Sequence, residues 1–267
     1  MTYPNRPADP AATVLHWRDG SIAHIRFNRP AALNALDVPM TAAFHAACAA
    51  IEADPEVRAL VIAGEGRAFL AGGDVAAMAA SPTEVGAALI REIHGAITLL
   101  NRLRAPVIAQ VHGAAAGAAI GVLMACDLVV AAEGAKFGLA FPGIGASADS
   151  SSTWGLPRMM GLRQALRFAL LGEAIDAQQA LQMGLVSAVV APDALAPTGQ
   201  AWAEKIAASA PLALGAIKRL LRTSADHTLP EHLAAEAEAF LACAATRDFA
   251  EGTAAFLAKR KPHFEGR

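Results

Sequence analysis

Residues 105–161 read APVIAQVHGAAAGAAIGVLMACDLVVAAEGAKFGLAFPGIGASADSSSTWGLPRMMG, and their pattern decides the fold. Two β-rich apolar runs, 106–111 and 127–132, flank a Gly/Ala segment with the periodicity of a short buried helix. The turn at 112–117, His-Gly-Ala-Ala-Ala-Gly, has almost no side chains, so its backbone can approach a ligand closely. A helix beginning near Gly117 and Ala118 directs unpaired N–H groups and the positive end of its dipole out of that turn. A strand, a bare turn and a helix N-terminus together make a place to hold negative charge on oxygen. Gly113, Gly117 and Gly121 also spell a repeated G-x-x-x-G, the pattern of packed membrane helices. Gln110, His112 and Asp127, however, limit the uninterrupted apolar run to about fourteen residues, short of the ~20 needed to span. A dinucleotide fingerprint is excluded as well, because no G-x-G-x-x-G follows a first strand.

Toward the N-terminus, 13–17 and 22–28 read as two strands joined by Asp19-Gly20, a hairpin signal, and Pro30 stops the second. Residues 39–53 read as a helix capped by Asp37. The continuous apolar run 57–63 fits a strand covered on both faces. Residues 68–74 read as another strand ending in the Gly72-Gly73 turn, and 84–104 as a long helix. Beyond the central stretch, helices at 161–171 and 176–183 are split by Gly172, and 186–190 is a last strand. From Pro192 onward only helical periods appear, at 193–208, 211–225, 230–244 and 246–260. This order predicts an α/β core with an α-helical C-terminal region. The expected organisation is a flexible tail at 1–12, a core at 13–191 and a helical region at 192–267.

Apolar residues at 55% against 17% charged supply a sizeable core. A net charge of −2 without a basic stripe argues against a nucleic-acid partner. Cys48, Cys126 and Cys243 are widely spaced and odd in number, which fits reduced thiols in a cytoplasmic protein, not a disulfide framework or a metal cluster. The N-terminal stretch lacks the charged start and apolar core of a signal peptide.

The motifs Asn28-Arg29-Pro30 with Asn34-Ala35-Leu36, Phe69-Leu70-Ala71-Gly72-Gly73-Asp74, and Pro106-Val107-Ile108-Ala109 with His112-Gly113 and Gly117 resemble the enoyl-CoA hydratase/isomerase (crotonase) superfamily. Cys126-Asp127-Leu128, Phe137-Gly138 and Gly184-Leu185-Val186 add to the likeness, in the family's order and approximate spacing. The resemblance implies an α/β spiral of stacked ββα units with a helical C-terminal region that serves oligomerisation. It further implies a homotrimer or a hexamer of paired trimers and an acyl-CoA thioester substrate, with no metal or redox cofactor, since coenzyme A arrives as part of the substrate.

By position, the resemblance assigns the thioester oxygen to the backbone N–H groups of Gly73 and Ala118. It lays coenzyme A along the loop at 28–33, near Arg29, Ala31 and Leu33, with Ala71 beside it. It lets the basic end at Lys259 reach the adenosine phosphates. The family's hydratases carry two glutamates, and here those positions are Gly121 and Phe141, so addition of water by the usual pair is in doubt. Asp149 falls where two branches of the family have an aspartate. In 1,2-epoxyphenylacetyl-CoA isomerase-like proteins it is the acid/base, and in 4-chlorobenzoyl-CoA dehalogenases it is the nucleophile. Asp149 also suits a helix N-cap. His94 matches the dehalogenases' active-site histidine, and Phe141, Ile144 and Trp154 are expected to line the acyl pocket around Asp149.

The leading expectation is isomerisation of an unsaturated or ring-containing acyl-CoA by Asp149. The alternatives are dehalogenation or thioester hydrolysis with His94 activating water, hydration through Glu65 or Glu92, and a non-catalytic CoA-binding or interaction protein. His112, Asp74 and Asp127 read as turn and strand-end fixings. Ser150, Ser151 and Ser152 form no nucleophile elbow.

Overall fold

The computed structural model describes residues 5–7, 9–79 and 81–267. The N-terminal hairpin forms as the Asp19-Gly20 signal predicts. Strands β1 (Val14–Asp19) and β2 (Ile22–Phe27) pair antiparallel, with Gly20 left-handed at the tip. Part of the expected tail, residues 1–4 and 8, lies outside the described residues. Of the rest, Asn5 bonds to Arg18 and Asp19, and Asn28 Nδ2 donates to the Ala12 carbonyl.

Asp37 caps α1 (Val38–Glu52) by accepting from the Met40 N–H at 2.9 Å. β3 (Ala59–Gly64) is buried at all six positions and runs parallel to β2, which accounts for its unbroken apolar sequence. Next come α2 (Val75–Ala79), α3 (Pro82–Arg102), β4 (Val107–Val111), β5 (Ala114–Ala116), α4 (Ala118–Ala125) and β6 (Leu128–Ala132). They are followed by β7 (Lys136–Gly138), α5 (Ser152–Met160), α6 (Leu162–Leu171), β8 (Ile175–Asp176), α7 (Ala177–Gln182) and β9 (Ala188–Val190). The C-terminal helices are α8 (Leu195–Ala207), α9 (Pro211–Thr223), α10 (Leu229–Ala244) and α11 (Arg247–Leu257).

The strands form a six-stranded sheet in the order β1-β2-β3-β4-β6-β9, parallel from β2 onward, and a small sheet in the order β5-β7-β8. Each parallel step returns through a helix, so the chain coils forward in successive strand and helix layers. α1, α3 and α4 bury their apolar faces against one side of the large sheet, and all eight residues of α4 are buried. α8 covers the other side, with Ala203 and Trp202 against Ile22, Ala59, Val61 and Ile108.

Asp127, at the entrance to β6, accepts from the Val107 N–H and pairs with Lys218 and Arg222 of α9, both at 2.7 Å. Lys218 is buried and also donates to the carbonyls of Leu100 and Ala105. Burial lowers its ammonium pKa, and the Asp127 carboxylate opposes that shift.

Two local expectations are corrected. Residues 68–74 form no continuous strand but only single bridges, Leu70 to Ala115 and Gly73 to Leu36. The reason is Asn34, whose Nδ2 donates to the carbonyls of Ala68 and Phe69 and so occupies groups a ladder would need. Conversely, the expected bare turn at 112–117 contains β5, three alanines paired to β7.

Candidate active site

The site is assembled where three loops leave the C-terminal ends of β2, β3 and β4. The first is folded by the consecutive left-handed residues Leu33 and Asn34, with φ of 53° and 59°. Asn34 is fully buried. Its Oδ1 accepts from the Arg29 N–H, while its Nδ2 reaches the second loop at Glu65, Ala68 and Phe69. The Ala71 N–H donates to the Leu33 carbonyl at 3.1 Å, which ties the first loop to the second. The Arg29 guanidinium is itself engaged, with Asp74 at 2.8 Å, Asp37 at 3.4 Å and the Ala35 carbonyl. Its hydrogen bond and the Ala77 N–H hold the Asp74 carboxyl below the usual range.

The second and third loops touch at two glycines. A Cβ on Gly72 (φ 87°) would stand 3.0 Å from the Ala116 carbonyl oxygen, and one on Gly117 (φ 57°) 3.5 Å from the Gly72 Cα. Only glycine permits that approach in that conformation. Immediately after each glycine is an N–H without a main-chain acceptor among the described residues. That of Gly73 is skipped by the bridge, which uses the Gly72 carbonyl and the Asp74 N–H on either side. That of Ala118 belongs to the first turn of α4, where N–H groups have no intrahelical partner. Two free donors, one at a helix N-terminus, are thereby held on abutting turns. The Phe141 ring closes one side, 3.9 Å from a Cβ on Gly117.

The third component comes from the chain between β7 and α5. At Gly121, on the buried face of α4, a Cβ would overlap the carbonyl oxygen of Ser150. The segment carrying Asp149 and Ser150 therefore fills the space that a side chain at position 121 would need. Ser150 Oγ donates to Asp149 Oδ1 at 2.7 Å, and the Ser150 N–H donates to His94 Nε2 at 3.3 Å. Asp149 and His94, 55 positions apart by subtraction of their numbers, are thus joined through one serine. Asp149 does not cap α5. Its side chain accepts no helix N–H, and Ser151 occupies the N-cap.

The chain that builds this arrangement has clear counterparts among known proteins. The family model described as enoyl-CoA hydratase/isomerase matches residues 18–267. The chain belongs to the enoyl-CoA hydratase/isomerase family. It is 34% identical over 258 residues to 1,2-epoxyphenylacetyl-CoA isomerase of Escherichia coli (strain K12), covering 95% of this chain and 98% of that protein. It is 38% identical over 251 residues to 2,3-dehydroadipyl-CoA hydratase of the same organism, covering 94% and 97%. An enoyl-CoA hydratase structure from Bacillus anthracis superposes with a TM-score of 0.92 at 28% identity, over 96% of this chain and all of that one. The fold is accordingly the crotonase spiral.

The residues expected to line the acyl pocket differ in their surroundings. Ile144 and Trp154 are half exposed, at 53% and 49%, and the Trp154 ring carries the Arg158 guanidinium at 4.0 Å. Only Phe141 of the expected acyl-pocket trio lies against the glycine turns. The reason is local: Ser150 and Ser151 are left-handed, which turns the chain sharply before α5. Lys259 is not brought to the loop at 28–33 by any bond among the described residues. The tail after it is tied by Arg260 to Glu251 and by the Phe264 carbonyl to Arg58. Arg58 precedes β3, so this anchor lies a strand length, about 20 Å, from the loop.

Glu65 pairs with Arg6 at 3.1 Å. Glu92 accepts from His45 at 2.8 Å, and that bond with the one from Arg91 lowers its pKa. Neither glutamate bonds to Asp149 among the described residues. His112 bonds the Gly66 carbonyl at 2.9 Å, fixing the turn as expected. Sequence reasoning missed the parts played by Ser150 and Asn34. For Asn34, the signal was available in a buried amide between two loops that each end in a motif.

Proposed function

We propose that this enzyme isomerises an unsaturated or ring-containing acyl-CoA, with Asp149 moving a proton between carbons. In this reading the N–H groups of Gly73 and Ala118 hold the thioester oxygen. The Asp149 carboxylate removes a proton from one carbon, and the electron pair passes through the π system onto that oxygen as an enolate. A proton, exchangeable with solvent while Asp149 holds it, is then delivered to a different carbon, so nothing is consumed and no further cofactor is needed. Losing one such backbone donor typically costs about 10²–10³ in rate.

The observation that carries this reading is the filled space at Gly121. A carboxylate at that position is incompatible with the Ser150 carbonyl, while Asp149 enters on the same segment. One carboxylate beside the donors suits a proton shuttle, which needs a single group that accepts and returns. The resemblance to an isomerase of 1,2-epoxyphenylacetyl-CoA supports the same class.

Hydration is the second reading, favoured by the hydratase names of other relatives. It needs groups to activate water and to protonate carbon, and Glu65 and Glu92 are both held in ion pairs elsewhere. Attack by Asp149 as a nucleophile with His94 as base is weakened by the bond His94 Nε2 already accepts. Exposed apolar side chains on α5 and α6 (Trp154, Leu162, Leu170) and on α10 and α11 (Phe240, Phe256, Leu257) support assembly into a trimer or hexamer.

Asp149→Asn tests the reading when vinylacetyl-CoA and styrylacetyl-CoA, two β,γ-unsaturated thioesters, are incubated in deuterated water. Wild type is expected to wash deuterium into the α or γ carbon and to shift the double bond. The variant is expected to lose at least about 10³ of that rate, the upper part of what general acid–base groups contribute. A trapped aspartyl ester in single turnover would establish the nucleophile instead. Full activity of Asp149→Asn would overturn both.

A further inference from the structure

We infer that His94 and Ser150 are positioning residues that aim the Asp149 carboxylate, leaving Oδ2 as the oxygen that exchanges the proton. This rests on the acid/base role proposed for Asp149. Ser150 and Ser151 are consecutive left-handed residues without being glycine, at φ of 53° and 63°. Such a pair is disfavoured for L residues and persists only where the surroundings over-determine it.

Those surroundings can be enumerated. Ser150 is fully buried, and its N–H finds an acceptor in His94 Nε2 at 3.3 Å, from α3. Its carbonyl occupies the notch left by Gly121. The N–H and Oγ of Ser152 both donate to the Asp149 carbonyl. Finally, Ser150 Oγ donates to Asp149 Oδ1 at 2.7 Å, whereas Oδ2 takes no bond among the described residues. The peptide groups on both sides of Ser150 are therefore fixed, one oxygen of the adjacent Asp149 carboxylate is restrained and the other is left for work.

The same bond defines what His94 does not do. Nε2 accepts from a main-chain N–H only with its lone pair, so this nitrogen is unprotonated and already engaged. It cannot at the same time take a proton from water. His94 acts through Ser150 on Asp149, and its contribution is orientation. Displacing a reacting group by about 1 Å is enough to cost about 10²-fold in rate.

The experiment compares His94→Ala, His94→Gln, Ser150→Ala and Asp149→Asn, assayed by deuterium wash-in with vinylacetyl-CoA and styrylacetyl-CoA, with Tm recorded for each. The Gln side chain sets an amide oxygen where the imidazole sets Nε2, so it can accept from the Ser150 N–H but cannot serve as a base. His94→Ala is expected to lower kcat about 10- to 100-fold with KM changed less than about threefold, and His94→Gln to recover most of the loss. In an Asp149→Asn background, His94→Ala is expected to cause no further loss. Ser150→Ala keeps the N–H and removes the hydroxyl, so it tests the other end and decides the matter should His94→Ala fail to fold. It too is expected to lower kcat with KM unchanged.

A wild-type kcat in His94→Ala or in Ser150→Ala overturns the inference, and so does a His94→Gln variant as slow as His94→Ala. If those outcomes occur while Asp149→Asn is inactive, the positioning role alone fails. If Asp149→Asn retains wild-type exchange, the acid/base reading fails and takes this one with it.

Discussion

The glycine turns around Gly73 and Ala118 and the segment at 141–151 lie side by side but are built in different ways. The turns offer main-chain N–H groups and are braced by main-chain contacts: the Leu36–Gly73 and Leu70–Ala115 bridges, the Gly117 N–H on the Gly138 carbonyl, and glycine against glycine. No side chain in them does chemistry, so the geometry survives wide changes in sequence. The segment at 141–151 offers a carboxylate and is braced by side chains, chiefly His94, Ser150 and Ser152. Exchanging a few residues there changes which groups meet the substrate while the donors stay put. A family can thus keep one way of holding an enolate and vary what delivers or removes the proton.

The sharpest way to break this comparison is to delete a donor without deleting a side chain. Gly73→Pro removes the N–H and is expected to lower kcat about 10²–10³-fold. Gly73→Ala keeps the N–H, and within 4 Å its Cβ meets only the flexible end of the Met78 side chain, the methyl at 3.2 Å and the sulfur at 3.9 Å. That variant is expected within about tenfold of wild type. Steady-state rates, with circular dichroism to verify folding, distinguish the two. Equal activities would show that the donor lies elsewhere.

A smaller effect is expected from Gly121→Ala, where the two regions meet. In an ordinary helix interior this change stabilises by about 0.5–1 kcal/mol. Here the new methyl would collide with the Ser150 carbonyl, and backbone must move. The sign should invert: a loss of about 1–3 kcal/mol by denaturant unfolding, with kcat reduced about tenfold as Asp149 shifts. A stabilised, fully active Gly121→Ala would mean that Ser150 does not sit against α4.

The contrast also explains what was legible in the chain. The alternation of strand and helix, the continuous apolar run of β3 and the Asp37 cap follow from local pattern, and each forms where expected. The donor turns were readable for the same reason: Gly72-Gly73 and Gly117 need no partner side chain to declare a close approach. The carboxylate's setting was less readable. Asp149 and His94 could be named, but the bond between them passes through the Ser150 main chain, which no residue type announces. The left-handed Ser150 and Ser151 carry no glycine to flag them, and their sharp turn leaves Ile144 and Trp154 half exposed. The strand expected at 68–74 failed because Asn34, 34 positions before Ala68 by subtraction, takes its carbonyls. Long-range side-chain bonds of this kind are invisible to periodicity.

The last effect, expected on stability and not on kcat, separates the site from the scaffold by pH. His24, on β2 beside the edge strand β1, is fully buried and stacks on Trp17 at 4.8 Å. Burial, with the Arg26 charge adding to it and Asp19 opposing, pushes its pKa down from 6.5 to about 4. The unfolded chain therefore binds a proton between about pH 6.5 and 4 that the folded chain refuses. Stability should be fully present above pH 6.5 and decline as pH falls toward 4, by no more than roughly 3 kcal/mol. His24→Phe keeps a ring against Trp17 and removes the titration, so its Tm should vary less between pH 7 and pH 5 than that of wild type. An unchanged Tm slope would assign the pH sensitivity to another group. The hairpin carries none of the residues proposed for the site, so this pH dependence of Tm is a property of the scaffold.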